Sequence, residues 1–552
     1  MKKLNPLKIF RIILSVVFFV PILIVFLDLA DLVPHDMKLV FTNIQFIPAF
    51  LNFVQNPLVD FAIFFLLILI TLIFGRIYCS SICPLGVLQD IVYYFVLKIN
   101  KRKRFLYEDP KNIFRYSLLI ISVVVFVAGN ILLFNLLDPY SLFGKMSANL
   151  LRPVAMIINN GAASVLTSFD IYMLYPVDIF FHLPVFLFSL AMLVFIVWLV
   201  TKKGRLYCNM ICPVGTFLGL ISRYSIFKIR IVEDDCTSCK VCEKKCRAMC
   251  IDSKGQLIDY SRCVDCFDCI SACSSKAIIF TAKNPLEKNA PIKTESVHIK
   301  LDMSRDNSSI KKLNNKKLEN PKESSTIDNS KRDFVKTVIA SFTLPSLILR
   351  ATETPKVYKN STIAEDKNYL VTPPGAGSIE HFNDYCTACN LCVTACPTKV
   401  LQPTFIEYGI FNLFQPKMDY HKGFCNFECK ICSDICPTDA IRKINSLDEK
   451  KLVQIGKAHF IRENCVVITQ GTDCGACNEH CPTKAVKMIP EDKLLVPKVE
   501  EDLCIGCGAC EHACPTKPYK AIYVDGNPIH LTAKKPIVEK QKVIDTTEDF
   551  PF

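Results

Sequence analysis

The sequence predicts a helical membrane bundle joined to small α+β domains built around cysteines, and three observations predict it. Half of the 552 residues are apolar and only 21% are charged, with a mean hydropathy of +0.29. Such a balance points to a membrane portion diluted by soluble ones. Several uniformly apolar runs lie in the N-terminal part. The 29 cysteines fall almost entirely into tight, regularly spaced runs.

Four apolar segments approach the length needed to cross ~30 Å of hydrocarbon as helices. They run over residues 9–29, 58–74, 116–137 and 177–200. None shows the polar face of a soluble bundle helix. Lys2, Lys3, Lys8 and Arg11 flank the first run, Lys98 and Lys101 to Arg104 follow the second, and Lys202, Lys203 and Arg205 follow the fourth. The positive-inside rule then puts the N-terminus and these loops in the cytoplasm. The net charge of +13 is accounted for largely by such flanks, so no nucleic-acid partner is expected.

The membrane part, residues 1–229, is duplicated. Gly75-Arg-Ile-Tyr-Cys-Ser-Ser-Ile-Cys-Pro-Leu-Gly86 closes the second run and Gly204-Arg-Leu-Tyr-Cys-Asn-Met-Ile-Cys-Pro-Val-Gly215 the fourth. Amphipathic stretches follow, at 87–99 and 216–229. Both copies end on the same side, as repeats related by an axis along the membrane normal would. Cys79, Cys83, Cys208 and Cys212 are then placed to converge near the cytoplasmic face. Four thiolates there admit a further Fe–S centre or two redox-active pairs. Plain Cys-Pro turns that redirect the chain are the other reading.

Residues 230–285 carry two runs, Cys236, Cys239, Cys242, Cys246 and Cys263, Cys266, Cys269, Cys273. Cysteines this close rarely bridge one another in good geometry, and zinc sites usually separate their ligand pairs by a longer loop. The C-x2-C-x2-C-x3-C register is that of [4Fe–4S] ligation, in which the fourth cysteine of each run serves the other cluster. The expected ligand sets are Cys236, Cys239, Cys242, Cys273 and Cys263, Cys266, Cys269, Cys246. The proline that usually follows the fourth cysteine is replaced by Arg247 and Ser274, which predicts looser, more exposed loops. Cys250 is read as a spare buried thiol, with an alternative-ligand role as the other reading.

Residues 286–330, rich in Lys, Asn and Ser, read as a disordered linker. Lys331-Arg332 and an apolar run to Leu349 follow; the run is short for a fifth crossing. The last domain, 369–530, carries four runs: Cys386, Cys389, Cys392, Cys396; Cys425, Cys429, Cys432, Cys436; Cys465, Cys474, Cys477, Cys481; and Cys504, Cys507, Cys510, Cys514. The middle two have enlarged first gaps. Two regular runs flanking two irregular ones predict nested pairing, first with fourth and second with third. Six [4Fe–4S] clusters in one chain make an electron wire rather than a structural staple.

Absences narrow the function. No C-x-x-C-H haem motif is present, and of nine histidines only His182 falls in an apolar run, so haem is not expected. No G-x-G-x-x-G or P-loop motif occurs, so neither a nicotinamide cofactor nor ATP hydrolysis is expected. A lipid-soluble donor and a protein acceptor remain as the ends of the wire.

The duplicated C-x3-C-P motifs followed by a two-cluster domain resemble the NapH-type membrane ferredoxins. Residues from about 330 resemble the four-cluster NapG and MauM type, through Ser330-Lys-Arg-Asp-Phe-Val-Lys336, Pro373-Pro-Gly-Ala376 and the order of cysteine gaps. The resemblance implies a fusion of the two in the bacterial cytoplasmic membrane. It implies α+β ferredoxin-like domains, the first cytoplasmic and the second periplasmic. It also implies a quinol dehydrogenase component that passes electrons from membrane quinol to an exported reductase or cytochrome. The alternative is a maturation factor supplying electrons for metal or thiol reduction during assembly of another enzyme. Export by a twin-arginine route would expect two arginines, where this chain has Lys331-Arg332.

Overall fold

In the computed structural model the chain is described over residues 5–99, 106–179, 182–282, 361–491 and 493–535. The predicted linker and the apolar run around Lys331-Arg332 lie outside these residues. Helix α1 (Pro6–Leu27) starts at Asn5, whose side chain accepts from the Leu7 N–H, with Pro6 in the first turn. This is the usual way to satisfy and start a helix. Its 22 residues rise about 33 Å. It coincides with the first predicted span, and α11 (Leu183–Lys203) with the fourth. Among the described residues these two helices are long and apolar enough to cross a membrane. The chain is therefore a membrane protein.

The middle of the bundle departs from the four expected spans. α2 (His35–Asn43) and α3 (Phe46–Gln55) form a pair bent by 96°, which the sequence reading passed over. α4 (Phe61–Phe74) has only 14 residues. The third predicted span breaks at Gly129, φ +81°, into α7 (Asn112–Val127) and α8 (Leu132–Leu137). Short helices with intervening breaks are tolerated at membrane depth where other helices re-satisfy the freed backbone groups. Asp138 does this at one break, its side chain accepting from the Ser141 N–H at 2.7 Å to cap α9 (Pro139–Met146). A π-helical turn (Ser147–Leu151) leads into α10 (Arg152–Thr167).

The two repeats meet through their C-x3-C-P turns. In the first, α5 (Ile77–Ser81) is followed by α6 (Pro84–Ile99). In the second, a π-helical turn (Tyr207–Ile211) is followed by α12 (Pro213–Ser222). The prolines start their helices, where the missing N–H costs nothing. A Cβ on Gly86 would lie 2.1 Å from the Cys79 carbonyl, and one on Gly215 2.2 Å from that of Cys208. Only glycine permits this approach.

The first cysteine domain pairs β1 (Lys228–Ile231) with β4 (Ile278–Thr281) and β2 (Ile251–Asp252) with β3 (Leu257–Ile258), all antiparallel. It seats on the end of the bundle where α4 and α11 finish. There the Arg205 N–H donates to the Arg247 carbonyl and Asp265 presses on Gly75. Asp90 of α6 is the bolt, pairing with Arg11 at 2.8 Å, Arg205 at 2.7 Å and Arg247 at 2.8 Å. Losing the carboxylate leaves three buried guanidiniums short of a partner. Asp90→Asn should therefore destabilise the folded protein by about 3–5 kcal/mol, read as a lowered unfolding temperature in detergent. The expected loosening at Arg247 does not occur. Arg247 is buried and also pairs with Asp268. At the other departure, Ser274 is exposed, as expected.

The second cysteine domain has three antiparallel pairs: β5 (Leu401–Pro403) with β6 (Pro416–Met418), β7 (Val453–Phe460) with β10 (Ile522–Thr532), and β8 (Val486–Glu491) with β9 (Leu494–Val499). It packs on the opposite end of α1 and α11. Ser141 donates to the Thr387 carbonyl and Asn135 to that of Leu413, both at 2.5 Å. Gln55 donates to Thr438 O at 2.7 Å, and Phe188 near the start of α11 meets Phe414 with ring centres 4.4 Å apart.

Candidate iron–sulfur centres

Each regular run wraps its sulfurs in left-handed residues. Positive φ flanks the second cysteine at Ser238 and Lys240, Asp265 and Phe267, Ala388 and Asn390, and Gly506 and Gly508. It recurs three residues past the fourth cysteine at Met249, Lys276, Lys399, Asp439 and Lys484. Alternating handedness turns successive N–H groups inward, forming the nests that hold anionic clusters. The N–H two residues on donates to the sulfurs of Cys386, Cys389, Cys429, Cys504 and Cys507.

The cysteines gather in groups. Cys246 joins Cys263, Cys266 and Cys269, as predicted. Cys236, Cys239 and Cys242 form the neighbouring group; Cys273 ends α14 (Asp268–Ala272), which packs on α13 (Val241–Lys245) of that run. Cys250 is buried; its sulfur lies 3.5 Å from that of Cys246 and also neighbours Cys263.

In the second domain the nested pairing is wrong. Cys436 stands with Cys386, Cys389 and Cys392, and Cys396 with Cys425, Cys429 and Cys432, which line one cavity. Cys465, Cys474, Cys477 and Cys514 line another. Cys481 stands with Cys504, Cys507 and Cys510. Adjacent runs exchange their fourth cysteines because a hairpin joins them, β5–β6 in one pair and β8–β9 in the other. The widened gap before Cys474 is filled by a short helix, Val466–Gln470, closed by left-handed Gly471, so the ligand trio is kept.

The donor sets fit cubane clusters. Burial pushes the thiols of Cys266, Cys389, Cys477 and Cys507 up to about 12. Four thiolates in one such cage need a cationic partner, and soft thiolates select iron–sulfur centres.

Between the domains lie the four membrane cysteines, all buried, and the structure brings them together. Each is an electrostatic neighbour of others in the set. The repeats clasp crosswise: Arg76 donates to the Cys208 carbonyl at 3.1 Å and Arg205 to that of Cys79 at 2.6 Å. Every sulfur faces a donor. Arg76 lies 3.8 Å from Cys79 Sγ, Gln89 Nε2 3.3 Å from Cys208 Sγ and the Gly215 N–H 3.3 Å from Cys212 Sγ, while the Gly86 N–H serves Cys83. Arg76 is 0% exposed and has no carboxylate ion pair among the described residues. A buried unpaired cation is costly; anionic, metal-bound sulfurs would compensate it.

The sites form a row. Arg247, Asp265 and Ser261 tie the Cys246 group to the membrane cysteines, with Arg76 donating to the Ser261 carbonyl at 3.0 Å. On the far side Tyr207 donates to Leu137 O at 2.8 Å. α9 follows, bringing Tyr140 against Cys389 and Gly144 so close that a Cβ would lie 2.5 Å from the Cys389 carbonyl. The Cys386 and Cys425 groups share exchanged ligands. The Cys425 N–H donates to the Cys507 carbonyl at 2.9 Å, joining them to the last two groups.

Comparison with known proteins agrees with this chemistry. A 4Fe-4S binding domain model matches residues 58–103 and 184–231, the two C-x3-C-P repeats. A second matches 379–402, and a 4Fe-4S dicluster domain matches 470–518, a stretch that holds the fourth run and the last three cysteines of the third. The chain is 22% identical over 218 residues to the ferredoxin-type protein NapH of Haemophilus influenzae, covering 38% of this chain and 63% of NapH. It is 27% identical over 137 residues to the ferredoxin-type protein NapF of Escherichia coli K12, covering 25% and 74%. An uncharacterized protein of Methanocaldococcus jannaschii is 27% identical over 221 residues, covering 39% and 68%. No solved structure matches. The chain resembles a NapH-like membrane ferredoxin fused to further ferredoxin domains, and it binds 4Fe-4S clusters and transfers electrons.

Proposed function

We propose that the chain is the membrane component of a quinol dehydrogenase, carrying electrons from membrane quinol through six [4Fe–4S] clusters to an exported reductase or cytochrome. The observation that carries the reading is the unbroken row of cysteine groups from one end of α1 and α11 to the other. The 24 cysteines of the six runs are the proposed ligands, with Cys273 completing the Cys236 group by the exchange seen elsewhere. Cys79, Cys83, Cys208 and Cys212 are proposed to hold a seventh Fe–S centre, which bridges the two domains. The first domain then faces the cytoplasm and the second the periplasm.

Reporter fusions test the arrangement. A fusion after residue 282 should report inside, and one after residue 535 outside. An inside signal from both would remove the periplasmic acceptor and favour the alternative, a maturation factor supplying electrons for assembly of another enzyme.

A further inference from the structure

A cleft open to solvent separates the π-helical turn and α10 from the loop carrying Cys396. Asn149, Arg152, His182, Cys396, Lys399 and Gln402 are among its lining residues. We infer that this cleft is the headgroup site for an isoprenoid hydroquinone, an assignment that rests on the quinol reading above.

The chemistry of the walls carries the inference. A hydroquinone offers two O–H donors and needs acceptors. His182 Nδ1 is buried and without a hydrogen-bond partner, a cost the fold bears without return unless something binds there. Asn149 and Gln402 spend amide N–H groups on the carbonyls of Lys145, at 2.8 Å, and Lys399, at 2.7 Å. Their amide oxygens stay available as acceptors. Arg152, held by the carbonyls of Phe26 and Asp28, supplies positive charge for the oxygen that ionises, while Lys399 is engaged by Asp178. Val154, Ile157 and Ile158 of α10 are exposed and give an isoprenoid tail an apolar track.

Cys396, a proposed cluster ligand, forms part of the wall. Oxidation breaks the two O–H bonds of the hydroquinone. One proton passes to His182 and one to water at the mouth. The two electrons would be taken up singly by the cluster that Cys396, Cys425, Cys429 and Cys432 would hold, leaving the quinone.

Two other pockets fit less well. The one between Phe46, Phe50, Phe64, Leu119, Phe134 and Phe217 has wholly apolar walls and offers no proton acceptor. In the one beside Glu108, Lys203 holds the Glu108 carboxylate and Arg262 its carbonyl, and no histidine is among the lining residues.

The test is fluorescence quenching of the quinol analogue 2-heptyl-4-hydroxyquinoline N-oxide by the full-length, cluster-loaded protein in detergent. Wild type should bind saturably. His182→Phe and Gln402→Leu should each weaken binding about tenfold, the loss of one hydrogen bond. His182→Asn, which keeps a polar group near the Nδ1 position, should recover part of it. Leu119→Ala should match wild type. Unchanged iron content and visible spectra control for folding, and Gln402→Leu keeps the test alive if the His182 variant does not fold. Absence of quenching by wild type would overturn the quinol reading itself. Quenching kept by both cleft variants but lost in Leu119→Ala would move the site to the aromatic pocket and overturn only this assignment. Analogue affinity unchanged while bound anionic phospholipid is lost would make the cleft a lipid site, with the same consequence.

Discussion

Replacing Cys79 and Cys208 together with alanine is expected to cut the row in two. Six tetranuclear clusters account for about 24 irons, and the variant should lose whatever wild type holds beyond that number. Transfer between the domains should stop. In lipid vesicles, an impermeant reductant added outside would, on the proposed topology, reach only one domain of each molecule. Wild type should bleach completely near 400 nm, whereas the variant should bleach only in the domain facing out, whichever orientation each molecule takes. The argument comes from the surroundings of the sulfurs. Arg76 is wholly buried, its leading electrostatic neighbours are the thiols of Cys79, Cys208 and Cys212, with the Asp265 carboxylate beyond them, and each thiol faces an N–H donor. Hydrogen bonds to ligand sulfur are a common means of tuning an iron–sulfur centre. Turns that merely reverse the chain need neither the charge nor the donors. Iron content and complete bleaching equal to wild type would reduce the motif to such a turn.

How much of this was legible in the sequence depends on how local the information is. The cysteine runs were readable because three ligands of each cluster lie within a few residues, so spacing encodes geometry directly. The convergence of the membrane cysteines was readable because the repeat is nearly exact. The bent pair α2–α3 was missed because polar residues such as His35, Asp36 and Lys38 interrupt its hydropathy. Lys38 is in fact buried against Asp28 at 3.0 Å, a pairing that only the fold brings about. Arg247 was misread for the same reason: in place of a proline it looks like a loosened loop, and its partner Asp90 lies far off in the chain. Gly144 gives no sign in the sequence of the Cys389 carbonyl it admits. The pairing of the four last runs was undecidable from spacing, since Cys396 to Cys425 is the same interval as Cys436 to Cys465. The hairpins β5–β6 and β8–β9 decide it, and strands of three and six residues leave little periodicity to read.

That pairing yields the second large effect. Removing Cys465, Cys474 and Cys477 together should empty one site and lower the iron by one cluster, about four atoms. Adding Cys514→Ala to that background should cost nothing more, because the structure places Cys514 among the same three cysteines. Adding Cys436→Ala should instead cost iron from the group of Cys386, Cys389 and Cys392, which it joins. Under nested exchange the outcomes reverse: Cys514 would complete the Cys386 group, and its removal would be the costly step. Two substitutions that act on one site are non-additive, whereas those on separate sites sum, so total iron and the EPR of the reduced protein discriminate without assigning each signal to a cluster. The order of the wire follows from the result. With adjacent exchange, the two modules of the second domain meet where the Cys425 N–H donates to the Cys507 carbonyl. Counted from Tyr140 and Cys389, the groups then lie in the order Cys386, Cys425, Cys504 and Cys465. A further iron loss on adding Cys514→Ala, with none on adding Cys436→Ala, would break this order and return the row to a nested arrangement.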